Sequence, residues 1–358
     1  MYQRVRTKLT TEPVEDLRVD FEDGYGPRGD DEEDTHCLAV ARELARAMAD
    51  HTLPPFVGIR VKSFSAETTD RALRTLDLTL TTLVATTRAL PERFVVTLPK
   101  VVMPAQVTAL VECLAMLERA LGLRGGSIGV ELMVEATQTM LSPRGEVTLA
   151  ALLDAAAGRC VAAHFGAYDY TAGCNVASGD QHLGHPWCEH ARHLMQLAFA
   201  GTGVRLSDGA TTTLPVEPHR AKEGATLTDD ARAANRATVH RAWRLHADNI
   251  ARALTEGYGQ GWDLHPAQLP ARYGAVYDYY LRGAVTAGER LRAFVTRSAQ
   301  ATRVGAAFDD AATAQAMVNF FLRAIDAGAL TEDEAASHAG VTVERLRTRS
   351  FAAIAGAR

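Results

Sequence analysis

The chain has 358 residues, of which 47% are apolar and 23% charged, and its formal net charge at pH 7 is −5. This composition allows a large buried core and argues against global disorder, nucleic-acid binding and binding to an anionic membrane. No apolar run approaches the roughly 18 residues that span a bilayer, and no signal peptide is expected. The five cysteines form no C-x-x-C pair, which predicts reduced thiols in a cytoplasmic protein.

Short apolar runs alternate with longer helical segments through most of the chain. The predicted strands are Leu17–Glu22, Phe56–Val61, Phe94–Leu98, Ile128–Glu135, Cys160–Phe165, Val204–Leu206 and Gly261–Leu264. Helices are predicted near 34–50, 66–89, 104–122, 147–157, 187–201 and 229–256. This alternation predicts right-handed βαβ units and an α/β fold of the TIM (β/α)8 type. Seven strands are predicted rather than eight, so either the barrel lacks its first strand or the chain begins late.

From about residue 283 the pattern is helical only. Met317, Phe320, Phe321 and Ile325 form one apolar helix face. We therefore expect a barrel domain with the metal and substrate site over residues 1–282. Residues 283–358 are expected to form a helical segment that packs on the barrel or on a neighbouring subunit.

Two predicted strands end on carboxylates, Glu135 and Asp169. The carboxyl ends of parallel strands are where α/β enzymes keep their active sites. Two hard oxygen ligands suit Mg²⁺, or alternatively Mn²⁺, which leaves positions open for water and substrate. Two earlier strands end near the cations Arg60 and Lys100. This pattern predicts a metal site beside cations that would neutralise an anionic substrate.

The order and spacing of six motifs resemble the citrate lyase β-subunit / HpcH/HpaI aldolase family of pyruvate- and phosphoenolpyruvate-type barrels. The motifs are Asp20-Phe-Glu-Asp23, Ile59-Arg-Val61, Leu98-Pro-Lys100, Met133-Val-Glu135-Ala136, Gly166-Ala-Tyr-Asp169-Tyr170 and His265-Pro-Ala-Gln268. The resemblance implies metal ligation by Glu135 and Asp169. It also implies substrate contacts from Arg60, Lys100, Glu22, Asp23, Gly166 and Ala167. Lys62 and Ala136 depart from the family pattern, where Asn and Thr are usual.

A further motif, Phe308-Asp-Asp-Ala-Ala-Thr313, resembles a segment of malyl-CoA lyases and malate synthases. The resemblance implies that Asp309 or Asp310 acts in proton transfer, and Arg60 is expected to share in catalysis. The alternative is that the two acids cap the helix that begins there.

These resemblances imply a magnesium-dependent carbon–carbon lyase or aldolase. The substrate would be a 2-oxo acid or a hydroxyacyl-CoA, and the reaction an aldol or Claisen cleavage or condensation. Two alternatives stay open: a class II aldolase for free hydroxy-oxo acids without CoA, and a non-catalytic barrel that binds a metabolite. The resemblance also implies a homo-oligomer, a trimer or hexamer. No nucleic-acid or membrane partner is expected.

Four histidines and a cysteine lie within twelve residues, a density that can indicate zinc. They are His182, His185, Cys188, His190 and His193. Their spacing matches no familiar zinc finger, so surface histidines and a buried thiol are predicted instead. His164, on the same strand as Asp169, is expected to be a core histidine.

Overall fold

Seven parallel strands form one curled sheet in a computed structural model that describes residues 1–304, 311–349 and 354, with side chains for 1–296, 314–349 and 354. The strands are β1 (Asp16–Asp20), β2 (Phe56–Arg60), β3 (Val95–Leu98), β4 (Gly129–Val134), β5 (Cys160–Phe165), β6 (Arg205–Ala210) and β7 (Gln260–Trp262). Each strand pairs with the next one along the chain. Within the described ranges no backbone pairing joins β7 to β1. The predicted TIM-like α/β fold with one strand missing is confirmed.

Helices follow the strands and continue after the last one. They are α1 (Tyr2–Thr11), α2 (Asp30–Ala49), α3 (Thr69–Thr87), α4 (Pro104–Ala120), α5 (Thr137–Met140), α6 (Thr148–Ala155), α7 (Ala167–Gly173), α8 (Pro186–Phe199), α9 (Asp229–Thr255), α10 (Leu269–Val304), α11 (Ala311–Asp326), α12 (Glu332–Ala339) and α13 (Val343–Arg347). Four acids fill the first turn of α2, where they complement the helix dipole. No helix among the described residues is long and apolar enough to cross a membrane.

The chain divides into two compact units. The barrel unit comprises residues 14–211 and 260–262, and therefore contains the whole sheet. The helical unit comprises residues 1–13, 212–259 and 263–358. Its core includes Tyr273, Tyr277 and Leu291 of α10, and it contains the predicted apolar face around Phe321. The domain boundary expected between residues 282 and 283 falls inside α10, a continuous helix.

The two faces of the curled sheet differ in chemistry. Outward-facing residues such as Ile59, Val96 and Leu132 pack against the surrounding helices in an apolar core. The inner face includes a buried polar group: Arg18 Nε lies 3.2 Å from Glu131 Oε1, and that carboxylate also accepts a 2.7 Å hydrogen bond from Thr97 Oγ1. Parallel sheets are usually apolar on both faces. The polar interior here forms the floor beneath the carboxyl ends of the strands.

Candidate active site at the carboxyl ends of the strands

The first two strands end side by side on an acid and a cation. Asp20 and Arg60 are register partners. Arg60 Nε donates to Asp20 Oδ1 at 2.7 Å, and Nη2 donates to Asp20 Oδ2. Nη1 lies 3.3 Å from Glu22 Oε2, and the guanidinium carbon is 5.0 Å from the centre of the Trp262 ring. Arg60 is only 5% exposed, so this bidentate pair and the cation–π contact fix its orientation.

Asp20 also shapes the loop that follows β1. Its carboxylate accepts hydrogen bonds from the backbone N–H groups of Glu22 at 2.9 Å and Gly24 at 2.8 Å. Burial opposes ionisation of this acid, but Arg60 and the two N–H groups lower its pKa below the usual value. The Asp20 side chain therefore orients Arg60, and it also holds the loop residues Glu22 and Asp23 close to Arg60. Sequence reasoning noticed the motif but gave Asp20 itself no role.

Lys100 connects the acids of the first loop to the end of β4. Its φ of 50° is left-handed, a conformation uncommon outside glycine. Its Nζ contacts Glu22 and lies 2.8 Å from Asp23 Oδ1, while its backbone N–H donates to Glu135 Oε1 at 2.6 Å. Asp23 and Glu22 raise the pKa of Lys100 although burial acts against the charge. The ammonium group is thus already paired with two carboxylates.

Glu135 and Asp169 occupy neighbouring positions above the sheet. Glu135 follows β4 directly and is 2% exposed. Burial raises the pKa of Glu135 to about 7; the Lys100 N–H group opposes this rise, and the charge of Asp169 adds to it. Asp169 is exposed on the first turn of α7, and burial, together with the charge of Asp23, raises its pKa as well. The charge of Asp169 thus adds to the cost of ionising Glu135, whereas the pKa of Asp169 responds to burial and to Asp23.

Gly166 lies between β5 and α7 against the Glu135 side chain. A Cβ added at this glycine would lie 2.5 Å from Glu135 Cβ and 2.6 Å from Glu135 Oε2. Such distances are far below ordinary van der Waals contact, so only glycine fits beside the carboxylate in this position. Ala167, the next residue, is 2% exposed and packs in the apolar core behind the strand. Its side chain is therefore directed to the core, and a contact with substrate would have to come from its backbone.

The cluster carries more negative than positive charge. Its five carboxylates belong to Asp20, Glu22, Asp23, Glu135 and Asp169, and its two cations to Arg60 and Lys100. A divalent cation would compensate most of this excess and would lower the raised pKa values of the last two acids. The described residues contain no group of three or more His, Cys, Asp or Glu side chains arranged to hold a metal. The acid pair fits Mg²⁺, which commonly binds through one or two carboxylates and keeps water or substrate as its other ligands.

Two further polar residues near the strand ends have structural partners, and the predicted tail acids cannot be placed. Lys62 donates to Phe21 O at 2.8 Å and pairs with the buried Glu33, so it stabilises the base of α2. Asp208 is not at a strand end, because β6 continues to Ala210; its Oδ1 lies 3.8 Å from Nη1 of the fully buried Arg192. Asp309 and Asp310 lie outside the described residues.

The His-Pro-Ala-Gln motif forms a closed turn in the helical unit. Gln268 Oε1 accepts backbone hydrogen bonds from Leu264 at 2.8 Å and His265 at 3.2 Å. His265 Nδ1 in turn accepts from the Ala267 N–H at 3.1 Å. The motif is thus a capping device at the start of α10.

His164 lies on the inner face of the sheet, beneath the cluster. Its ring contacts Trp262 edge-on with 4.5 Å between centroids, and its buried Nε2 has no hydrogen-bond partner within the described part of the chain. Burial, with the nearby charges of Arg60 and Arg18, lowers the pKa of His164 to about 3, which keeps it neutral at physiological pH. The Trp262–Arg60 contact extends this packing to the site. Alternation along β5 could have indicated the inward position, but not these partners.

The histidine-rich segment around α8 has the surface character that its spacing suggests. His182, His190 and His193 are exposed, and Cys188 is buried. His185 caps α8 by accepting the Trp187 N–H at 3.2 Å. No zinc-type arrangement occurs here or elsewhere in the described ranges.

Comparisons with known proteins bear on family and fold. The chain belongs to the family described as Domain of unknown function (DUF6986), whose model matches residues 1–354. No curated protein matches it. This family model does not name the citrate lyase family, so that resemblance stays a prediction.

Solved structures of Haloferax volcanii malate synthase share the fold. The lead(II) complex is 17% identical, with a TM-score of 0.50, and the match covers 92% of this chain and 88% of that one. The magnesium/glyoxylate complex is 18% identical, with a TM-score of 0.49 and coverage of 72% and 64%. In that second match the chain therefore spans less than two thirds of the enzyme. The match to the lead(II) complex, at 17% identity, shows a common fold and nothing finer.

Proposed function

We propose that this DUF6986 member is a metal-dependent enzyme that forms or breaks a carbon–carbon bond of a 2-oxo acid. The observation that carries the proposal is the Glu135–Asp169 pair in a cluster with excess negative charge, beside a fully oriented Arg60. An anionic oxo acid would be repelled by this cluster alone. A divalent cation would cancel most of this excess charge and would offer the oxo-acid oxygens a positive ligand site, so we expect substrate binding to depend on metal.

Glu135 and Asp169 would hold the ion, with Mg²⁺ favoured and Mn²⁺ as the substitute. The ion supplies Lewis acidity to the carbonyl and carboxylate oxygens of the oxo acid. The Lys100 N–H group orients Glu135 through its 2.6 Å hydrogen bond, and Gly166 leaves the space that this orientation needs. Arg60, immobilised by Asp20 and Trp262, presents the cation that grips the substrate carboxylate.

The second substrate is proposed to be an acyl thioester, which makes the reaction a Claisen-type condensation or its reverse. Support comes from the Asp309-Asp310 motif, which resembles a segment of malyl-CoA lyases and malate synthases. In this scheme Asp309 or Asp310 is the base that removes a proton from the acyl α-carbon. The free-acid aldolase and the non-catalytic barrel predict different outcomes in the same assay.

A condensation and cleavage screen tests the proposal. Acetyl-CoA is combined with glyoxylate, pyruvate or oxaloacetate in Mg²⁺ or in EDTA, and the conversion of acetyl-CoA is followed by chromatography. Free CoA thiol is measured in parallel, because it appears only if water hydrolyses the condensed thioester. The matched set is wild type, Asp309→Asn, Asp310→Asn and the control Asp333→Asn, on the exposed first turn of α12. We expect metal-dependent conversion of acetyl-CoA that one tail variant abolishes and the control retains. Cleavage of hydroxy-oxo acids without CoA would select the aldolase, and no turnover with any pair would contradict the proposal.

A further inference from the structure

A cavity of about 500 Å³ lies in the barrel unit, between α5 and the first turn of α8. Its apolar lining includes Met140, Leu141, Pro143 and Trp187, and its polar lining includes Gln138 and Asn175. None of the described lining residues is Asp, Glu, Lys or Arg, and the exposed His190 also lines the pocket. Its volume falls within the range of small-molecule sites. The pocket therefore suits an uncharged, largely apolar group.

The pocket adjoins the elements that carry the acid pair. Its lining residue Thr137 begins α5 two residues after Glu135, and its lining residue Tyr170 follows Asp169 on α7. The two helices touch: Thr137 Cγ2 is 3.6 Å from the place where a Cβ on Gly173 would lie. α7 thus carries Asp169 and also lines the pocket, and α5 begins two residues after Glu135, so chain connectivity keeps the pocket next to the acid pair.

The rim of the pocket exposes two large apolar side chains. Leu141 is 44% exposed and Trp187 is 48% exposed. Tyr170, which is 4% exposed, contributes to the lining from the core side. Apolar area left in water at the edge of a concave site is area that a ligand can cover, with a gain in free energy proportional to that area.

We propose that this pocket receives the side group of the oxo acid, so that the substrate is a 2-oxo acid with an aryl or branched alkyl substituent. This inference rests on the proposed function, because it places the acid head of the same molecule at Glu135, Asp169 and Arg60. A charged head and an uncharged, bulky tail match the charged cluster and the uncharged pocket beside it. Glyoxylate and pyruvate would leave the pocket unfilled.

A size-graded binding series tests the assignment. Glyoxylate, pyruvate, 4-methyl-2-oxopentanoate and phenylpyruvate are titrated into the full chain in Mg²⁺ by calorimetry. We expect affinity to rise along the series, with phenylpyruvate roughly tenfold or more tighter than pyruvate. Trp187→Ala should remove this advantage and leave pyruvate binding unchanged, whereas Trp187→Phe should keep it. Leu197→Ala, at a 77% exposed position of the same helix outside the pocket, is the matched control.

The outcomes separate the two proposals. Metal-dependent pyruvate binding with no gain for larger acids overturns the pocket assignment and leaves the proposed function standing. The pocket assignment is also overturned if the larger acids keep their affinity advantage in Trp187→Ala and in Leu141→Gln, with folding of each variant checked by its melting temperature. If no oxo acid binds with or without Mg²⁺, both proposals fail.

Discussion

Replacing Gly166 by alanine should damage the metal site with little change elsewhere. Gly166 has a φ of −100°, so its backbone suits alanine, and the strain comes only from the new methyl group. That methyl group would lie 2.5 Å from Glu135 Cβ, about 1 Å closer than a normal contact between carbon atoms. The glycine cannot retreat easily, because its N–H donates to Val134 O at 3.0 Å. Glu135 must move, which lengthens its 2.6 Å hydrogen bond from Lys100.

Overpacking of this kind costs about 1–3 kcal/mol, and the same energy expressed as metal affinity is about a tenfold to hundredfold loss. We expect Gly166→Ala to fold with a melting temperature a few degrees lower and to bind Mg²⁺ at least roughly tenfold more weakly in calorimetry. The control is Gly179→Ala, whose new Cβ has no neighbour within 4 Å. Equal Mg²⁺ affinity and equal melting temperature in Gly166→Ala and wild type would refute the steric reasoning.

Three further outcomes are expected. Burial raises the pKa of Glu135 to about 7, so protons compete with Mg²⁺ for this carboxylate. The Mg²⁺ affinity measured by calorimetry should therefore rise as the pH increases from about 6 to about 8. An affinity that does not change with pH would argue against Glu135 as a ligand. Glu118 accepts hydrogen bonds from Arg159 at 2.7 and 2.8 Å, and despite burial its pKa is lowered to about 2. Because the folded-state pKa is depressed, ionised Glu118 stabilises the fold above the unfolded-state pKa, and Glu118→Gln should lower the free energy of unfolding by about 2 kcal/mol in urea melts at pH 7. This difference between wild type and variant should narrow as the pH falls from about 4.5 towards 2. A difference that does not change with pH would contradict the reasoning. Asp20→Asn should release Arg60 and so weaken oxo-acid binding about tenfold, while the Mg²⁺ affinity stays within about twofold of wild type. An equal loss of oxo-acid and Mg²⁺ affinity would count against the role of Asp20 in positioning Arg60.

The sequence predicted that Glu135 and Asp169 lie at the carboxyl edge of the sheet. The structure places Glu135 directly after β4 and Asp169 on the first turn of α7, and their role as metal ligands stays a prediction. Glu135 and Asp169 follow apolar runs, and parallel strands bring their carboxyl ends to one edge. The order of seven strands followed from the same alternation. Arg60 was predicted as a site residue, but its partners were only partly foreseen. Trp262 reaches it from β7, some two hundred residues later in the chain, and nothing local in the sequence marks that contact.

The predicted ends of β1 and β6 differ from the observed ones. β1 ends at Asp20 rather than Glu22, because the Asp20 carboxylate binds the next backbone N–H groups and turns the chain. β6 was expected to end at Leu206, since Ser-Asp-Gly resembles a turn. It continues to Ala210 because its backbone pairs with β7, where Ala210 lies opposite Trp262. Both differences arise from hydrogen bonds that the conformational preferences of the local sequence do not reveal.

The most direct test of the account is calorimetric titration of pyruvate into the protein with Mg²⁺ and with EDTA, for wild type and Glu135→Gln. The acid cluster repels an anion unless a divalent ion is held by Glu135 and Asp169. We therefore predict pyruvate binding to wild type only with Mg²⁺, and to Glu135→Gln at least roughly tenfold more weakly. Equal binding of pyruvate in Mg²⁺ and EDTA, or an unchanged affinity in Glu135→Gln, would contradict the central claim.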